Sequence, residues 1–188
     1  MPRKLIGLIF GALLALPLAA NAAMWQFGGA LNADQETHAL DLPEIYFGGG
    51  IVTGSLDDVS GAFQLNVTFI GLTGPATAGH VHGLALPGAD AGVLMPLGAL
   101  IVIAPNVFGY QLAAVLDANG ISVLTSGGTA AVNSATQFYV NIHTTANPAG
   151  EIRGQLFVTS APAPVPVPPA LLLMGSAVLG LVQLRRRV

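Results

Sequence analysis

The chain of 188 residues contains no cysteine. That excludes disulfides, thiolate chemistry, cysteine-ligated clusters and cysteine zinc sites. Charge is also scarce and unevenly placed. Of the six basic residues, Arg3 and Lys4 stand near one end and Arg185, Arg186 and Arg187 near the other. Arg153 is the lone basic residue between them. All nine acids lie in that interior: Asp34, Glu36, Asp41, Glu44, Asp57, Asp58, Asp90, Asp117 and Glu151. The interior therefore carries a net charge of −8 and no lysine. With no basic patch to neutralise phosphates, no nucleic-acid partner is expected. An acidic surface suits solubility in an exported domain.

Both ends are apolar and read as addresses. Arg3 and Lys4 form a basic n-region, Leu5 to Leu18 an apolar h-region, and Ala20-Asn21-Ala22 an A-x-A site for signal peptidase. Asn21-Ala22-Ala23 is the alternative cut. Residues 1–22 are thus expected to be a signal peptide. Residues 161–169 form a Pro-rich, polyproline-like spacer. Within 170–188, the run Ala170 to Leu184 would measure about 22 Å as a helix, short of a hydrocarbon core of roughly 30 Å. It would span only with the terminal arginines snorkelling. Arg185 to Arg187 should stay cytoplasmic, which puts everything before Ala170 outside. The inner membrane is then a transient tether.

The body, 23–160, reads as all-β, a single antiparallel sandwich or barrel domain. In Phe63 to Phe69, residues Phe63, Leu65, Val67 and Phe69 alternate with Gln64, Asn66 and Thr68, the period of a half-buried strand. Gln137 to Thr144 sets Phe138, Val140 and Ile142 against Tyr139, Asn141 and His143. Further strands are expected at 36–42, 50–56, 79–84, 99–103 and 155–159. Gly and Asn/Asp clusters separate them. Leu112, Val115 and Leu116 suggest one helical interlude over 110–118.

Two segments carry chemistry. In Gly79-His80-Val81-His82-Gly83, residues two apart on a strand share a face, so His80 and His82 point the same way. In the second, a strand ends at His143-Thr144, Asn147-Pro148-Ala149-Gly150 makes a turn, and Glu151-Ile152-Arg153-Gly154 opens the next strand. Glu151 and Arg153 are expected on one face, within reach of an ion pair.

Together these segments resemble the CHRD (chordin-type) domain over about residues 26 to 158. The matching positions are His80, His82, Gly83, Tyr139, Val140, Asn141, His143, Thr144, Asn147, Pro148, Gly150, Glu151, Ile152, Arg153 and Gly154. The resemblance implies a β-rich extracellular module. The tail is similar to PEP-CTERM sorting signals, which imply an exosortase-like membrane protease as partner. The motif here is Val165-Pro166-Val167-Pro168, with Val167 where that signal carries glutamate.

The histidines support two readings. In one, His80, His82 and His143 supply three imidazoles to Cu or Zn with an open position. An H-x-H strand plus a later histidine near an arginine is also similar to copper-zinc superoxide dismutase, but the disulfide and zinc-loop histidines of that enzyme have no counterpart here. In the other reading, the rings bond backbone carbonyls and fix loops. His38 is expected at the surface of a strand. No serine lies in a G-x-S-x-G frame, and Gly48-Gly49-Gly50 lacks the lysine of a phosphate loop. The expectation is a non-enzymatic structural or binding protein of the cell envelope or matrix. A metal-binding protein, conceivably a copper-dependent oxidoreductase, is the alternative.

Overall fold

The computed structural model describes residues 23–162. The expectations for residues 1–22 and 163–188 lie outside the described residues. These include cleavage at Ala20 or Ala22, the sorting residues Pro166, Pro168, Arg185, Arg186 and Arg187, and the C-terminal spanning helix. Among the described residues, no helix is long and apolar enough to cross a membrane.

Among the described residues, nine strands form one antiparallel sheet: β1 (Met24–Leu31), β2 (Gly49–Asp57), β3 (Ala62–Ile70), β4 (Ala76–His82), β5 (Val93–Pro96), β6 (Ile101–Ala104), β7 (Val107–Val115), β8 (Ala135–Thr144) and β9 (Ile152–Ser160). Their order is β5-β4-β8-β9-β1-β2-β3-β7-β6. The sheet curls into a half-barrel, and its connections require this. β5 and β6 are opposite edges, yet only residues 97–100 join them. So short a link spans at most about 17 Å, far less than the width of nine flat strands at roughly 4.8 Å spacing. The curl also brings β4 against β7: a Cβ on Gly79 would sit 2.8 Å from the Tyr110 ring and 3.0 Å from Leu97. The Leu97 amide donates to the Gly79 carbonyl at 2.9 Å.

The concave face is the core. Phe63, Leu65, Val67 and Phe69 of β3 are buried there, as their alternation predicts, with Val81, Phe138, Val140, Ile142, Leu156 and Val158. Phe27 meets Phe63 edge-on at 6.3 Å, and Phe69 stacks on Tyr110 at 5.8 Å. These contacts bury apolar area worth roughly 25 cal/mol per Å².

Two expectations about secondary structure are corrected. The helix is α1 (Ala118–Thr125), not 110–118. Tyr110, Leu112 and Ala114 belong to β7, which pairs with β3 from Val115↔Ala62 to Phe108↔Phe69. The helix starts where Asp117 can cap it, accepting from the Gly120 amide at 2.8 Å. Residues 36–42 are not a strand either. After a 3-10 turn (Ala33–Gln35), they form an irregular strap with no partner strand. Side chains from distant turns satisfy its polar groups instead: the Asp41 amide donates to Asn147 Oδ1 at 2.8 Å, and Asn147 Nδ2 donates to the Asp41 carbonyl at 3.2 Å.

Candidate metal centre

Strands β4 and β8 pair with His80 opposite Asn141 and His82 opposite Tyr139. Val81 is fully buried in the core, so pleating sends His80 and His82 to the convex face, as the spacing predicts. Phe138, Val140 and Ile142 likewise point inward and leave Tyr139, Asn141 and His143 outside. The convex face here is not bare. Tyr139, Asn141 and His82 are buried there too, beneath the strap and the 83–92 loop.

The three histidines meet. One ligand-capable nitrogen from each of His80, His82 and His143 lies within 4.8 Å of the others, and His80 Nδ1 is 3.0 Å from His143 Nε2. Hydrogen bonds at the far side of two rings fix their tautomers. His82 Nδ1–H donates to the Ala91 carbonyl at 3.0 Å, and His143 Nδ1–H donates to the Pro148 carbonyl at 3.0 Å. Both rings therefore turn unprotonated Nε2 atoms inward. His80 Nδ1–H supplies the one proton between them, to His143. His82 Nε2 is buried and has no hydrogen-bond partner among the described residues.

Electrostatics favour the neutral form of two of the rings, His80 and His143. Burial lowers the His80 pKa below its ordinary 6.5, aided by His82. His143 is lowered by burial, opposed by its bond to Pro148, and lowered further by His80, His82 and His38. Neutral imidazole is the form that ligates metals.

The walls of the site explain most of the remaining motif residues. Tyr139 stacks on His82 with centroids 5.0 Å apart and planes at 12°. Its hydroxyl clamps Ala91, accepting from the amide at 3.1 Å and donating to the carbonyl at 3.2 Å. Arg153 lies over the other face of Tyr139, 3.5 Å from the ring centroid. The turn at 147–150 closes with the Gly150 amide on the Asn147 carbonyl at 3.1 Å. Gly150 has φ 138° and leaves no room for a side chain beside Asn141. Gly83 and Gly154 are close-packing positions: a Cβ would press on Leu94 and Phe138 at the first, on Ala30 and Leu31 at the second.

The expected Glu151–Arg153 ion pair does not form. Arg153 instead reaches Asp90 at 3.2 Å, the Ala89 carbonyl at 2.8 Å and Gln155 Oε1 at 3.3 Å. Glu151 precedes β9, so the two-residue spacing does not set its direction. Its carboxylate is buried under the turn, where it accepts from the Thr73 amide and hydroxyl, Thr144, Asn147 and Tyr46.

Two residues of this face escaped the sequence reading of the site. His38 is half-buried rather than free on a strand, and its Nε2–H donates to the Gly150 carbonyl at 3.1 Å. The Glu36 side chain is 2% exposed and lies 3.7 Å from His38. Its Oε1 and Asn141 Oδ1 are buried without a partner among the described residues. Both residues come from the irregular strap, where neither periodicity nor a motif marks them.

A separate cavity of about 440 Å³, lined by Phe69, Leu72, Pro75 and Phe108 among others, carries no titratable side chain and does not include the histidines. The model of the CHRD domain family matches residues 27–156 of the chain. No curated protein and no solved structure matches it.

Proposed function

This chain belongs to the CHRD domain family, and from that premise we propose that it is an exported envelope or extracellular module that binds one Cu or Zn ion through His80, His82 and His143. The observation that carries the reading is the orphaned Nε2 of His82. Of the two inner nitrogens whose tautomers the carbonyls fix, His143 Nε2 accepts from His80 and His82 Nε2 has no donor among the described residues. A cation supplies what that arrangement lacks, since a buried polar atom left unpaired costs about 1–3 kcal/mol. The carbonyls of Ala91 and Pro148 play the part that outer-shell acceptors play for metal-bound histidines.

The plainer reading, that these rings only brace loops, accounts for the outer nitrogens of His82 and His143 and for the His80–His143 bond, and leaves the inner nitrogen of His82 unexplained. It predicts a structural module without an ion. Metal analysis of the purified exported chain separates the two. The metal reading expects one equivalent of Cu or Zn, lost in His82→Ala; near-zero metal, with a variant that is only less stable, favours the bracing role.

Delivery rests on the two ends of the sequence. Signal peptidase would remove residues 1–22, and an exosortase-like protease would act near Pro166 and Pro168 while residues 170–188 tether the precursor in the inner membrane. Replacing Arg185, Arg186 and Arg187 by neutral residues should then trap or mislocalise the precursor. Unchanged processing, read by mass spectrometry of both termini, would count against this sorting route.

A further inference from the structure

We propose that the three-histidine site selects monovalent copper over the divalent ions Zn(II) and Cu(II); this rests on the metal reading above and specifies its ion. The first support is the donor set. It holds three imidazoles and no carboxylate or thiolate, so the ligands contribute no negative charge. The far nitrogens of His82 and His143 bond neutral backbone carbonyls rather than carboxylates, so no anion behind the rings compensates a second positive charge.

The second support is the cation behind His82. The Arg153 guanidinium is 1% exposed and stacks on Tyr139, which stacks on His82. The acid partner of Arg153 is Asp90, whose side chain is 66% exposed. Water screens Asp90 far more than it screens the buried arginine. Glu36, the other buried carboxyl of this face, lies beyond Asn141 and is associated with His38. Arg153 is thus a buried cation whose partner Asp90 is screened by water and which Glu36 offsets as a second, more distant partner, and Coulomb repulsion from it acts twice as strongly on an ion of charge +2 as on one of +1.

The third support is coordination number. This bears on Cu(II), which favours a tetragonal arrangement of four or more ligands; zinc would accept the three imidazoles with a water as its fourth ligand, so the discrimination against zinc rests on charge. No fourth histidine, cysteine or acid joins the cluster among the described residues. A closed-shell monovalent ion is satisfied by three nitrogens in a trigonal set. Binding through His80 Nδ1 would need the other tautomer of that ring, the proton that now bridges to His143 passing by way of water to its Nε2.

The test is competition on the purified exported chain. Cu(I) is supplied without oxygen, with a chromogenic cuprous chelator as competitor; Zn(II) and Cu(II) are titrated against indicators of matched affinity. The expected result is Cu(I) bound about a hundredfold more tightly than Zn(II), a difference of about 2.7 kcal/mol. Asp90→Asn, which strips the exposed counter-charge from Arg153, should widen that preference several-fold. A loosened fold would instead weaken all three ions alike. Zn(II) or Cu(II) binding as tightly as Cu(I), or Asp90→Asn leaving or narrowing the preference, overturns the inference while the site stands. Failure of all three ions to bind overturns the underlying metal reading as well.

Discussion

The guanidinium of Arg153 lies 3.5 Å above the centre of the Tyr139 ring, with His82 stacked on the opposite face. The sole basic residue of the described domain is thus spent inside it, holding an aromatic wall and the 83–92 loop together. Lysine keeps the charge but cannot serve Asp90, the Ala89 carbonyl and Gln155 at once, nor stack as a plane. Arg153→Lys should lower stability by about 1–3 kcal/mol, read by urea denaturation. A change within about 0.5 kcal/mol, the usual range for a surface site, would show that the stack matters little.

Glu151 anchors the turn that orients His143. Burial alone would raise its pKa, but the bonds from Thr144, Thr73 and Asn147 outweigh burial and hold it below its ordinary 4.5. Tyr46, raised by burial and by the Glu151 carboxylate, stays a protonated donor to it. The folded-state value is depressed, so this stabilisation is complete above pH 4.5 and is lost as pH falls through the lower folded value. Glu151→Gln should cost about 2–4 kcal/mol at pH 7 and weaken the acid dependence of unfolding below pH 4.5. An unchanged acid limb would contradict this assignment.

Glu36 should act with the opposite sign. Burial pushes its pKa up to about 7, opposed by His38, Arg153 and the Asn141 bond and assisted by Asp90. The folded chain holds that proton more tightly than the unfolded chain, so stability declines as pH rises from about 4.5 to about 7 and then levels. Glu36→Gln should remove that decline and stabilise the protein above neutral pH by up to about 3 kcal/mol. Thermal melts at pH 5 and pH 8 check it: the variant's gain should appear at pH 8 and shrink at pH 5.

The curl of the sheet predicts a coupling between residues on opposite sides of the strand order. Gly79→Ala should destabilise by about 1–3 kcal/mol, because its new methyl meets the Tyr110 ring. Tyr110→Leu should recover part of that loss in the double variant, a non-additivity of contacting residues. Additive effects would mean that β4 and β7 do not touch.

Much of this architecture was legible in the residue pattern because period two is a local signal. β3 and β8 follow from which side chains alternate, and the convex placement of His80, His82 and His143 follows from the same rule. The strap over 36–42 was misread because its backbone bonds go to Asn147, over a hundred residues away, and no local pattern encodes that. The spacing of Leu112, Val115 and Leu116 mimicked a helical stripe, yet pairing with β3 decided the outcome. The destinations of Glu151 and Arg153 escaped for a related reason. Two residues apart means one face only inside a strand, and Glu151 stands just before one. Convergence of three rings is likewise a matter of register between β4 and β8, which sequence spacing leaves open.

The most direct test of the central claim is the metal content of the exported chain, measured by elemental mass spectrometry alongside the same chain carrying His82→Ala. The account predicts one bound ion per chain in the parent and almost none in the variant, with both folded. A folded parent that binds no copper or zinc even after loading would contradict it.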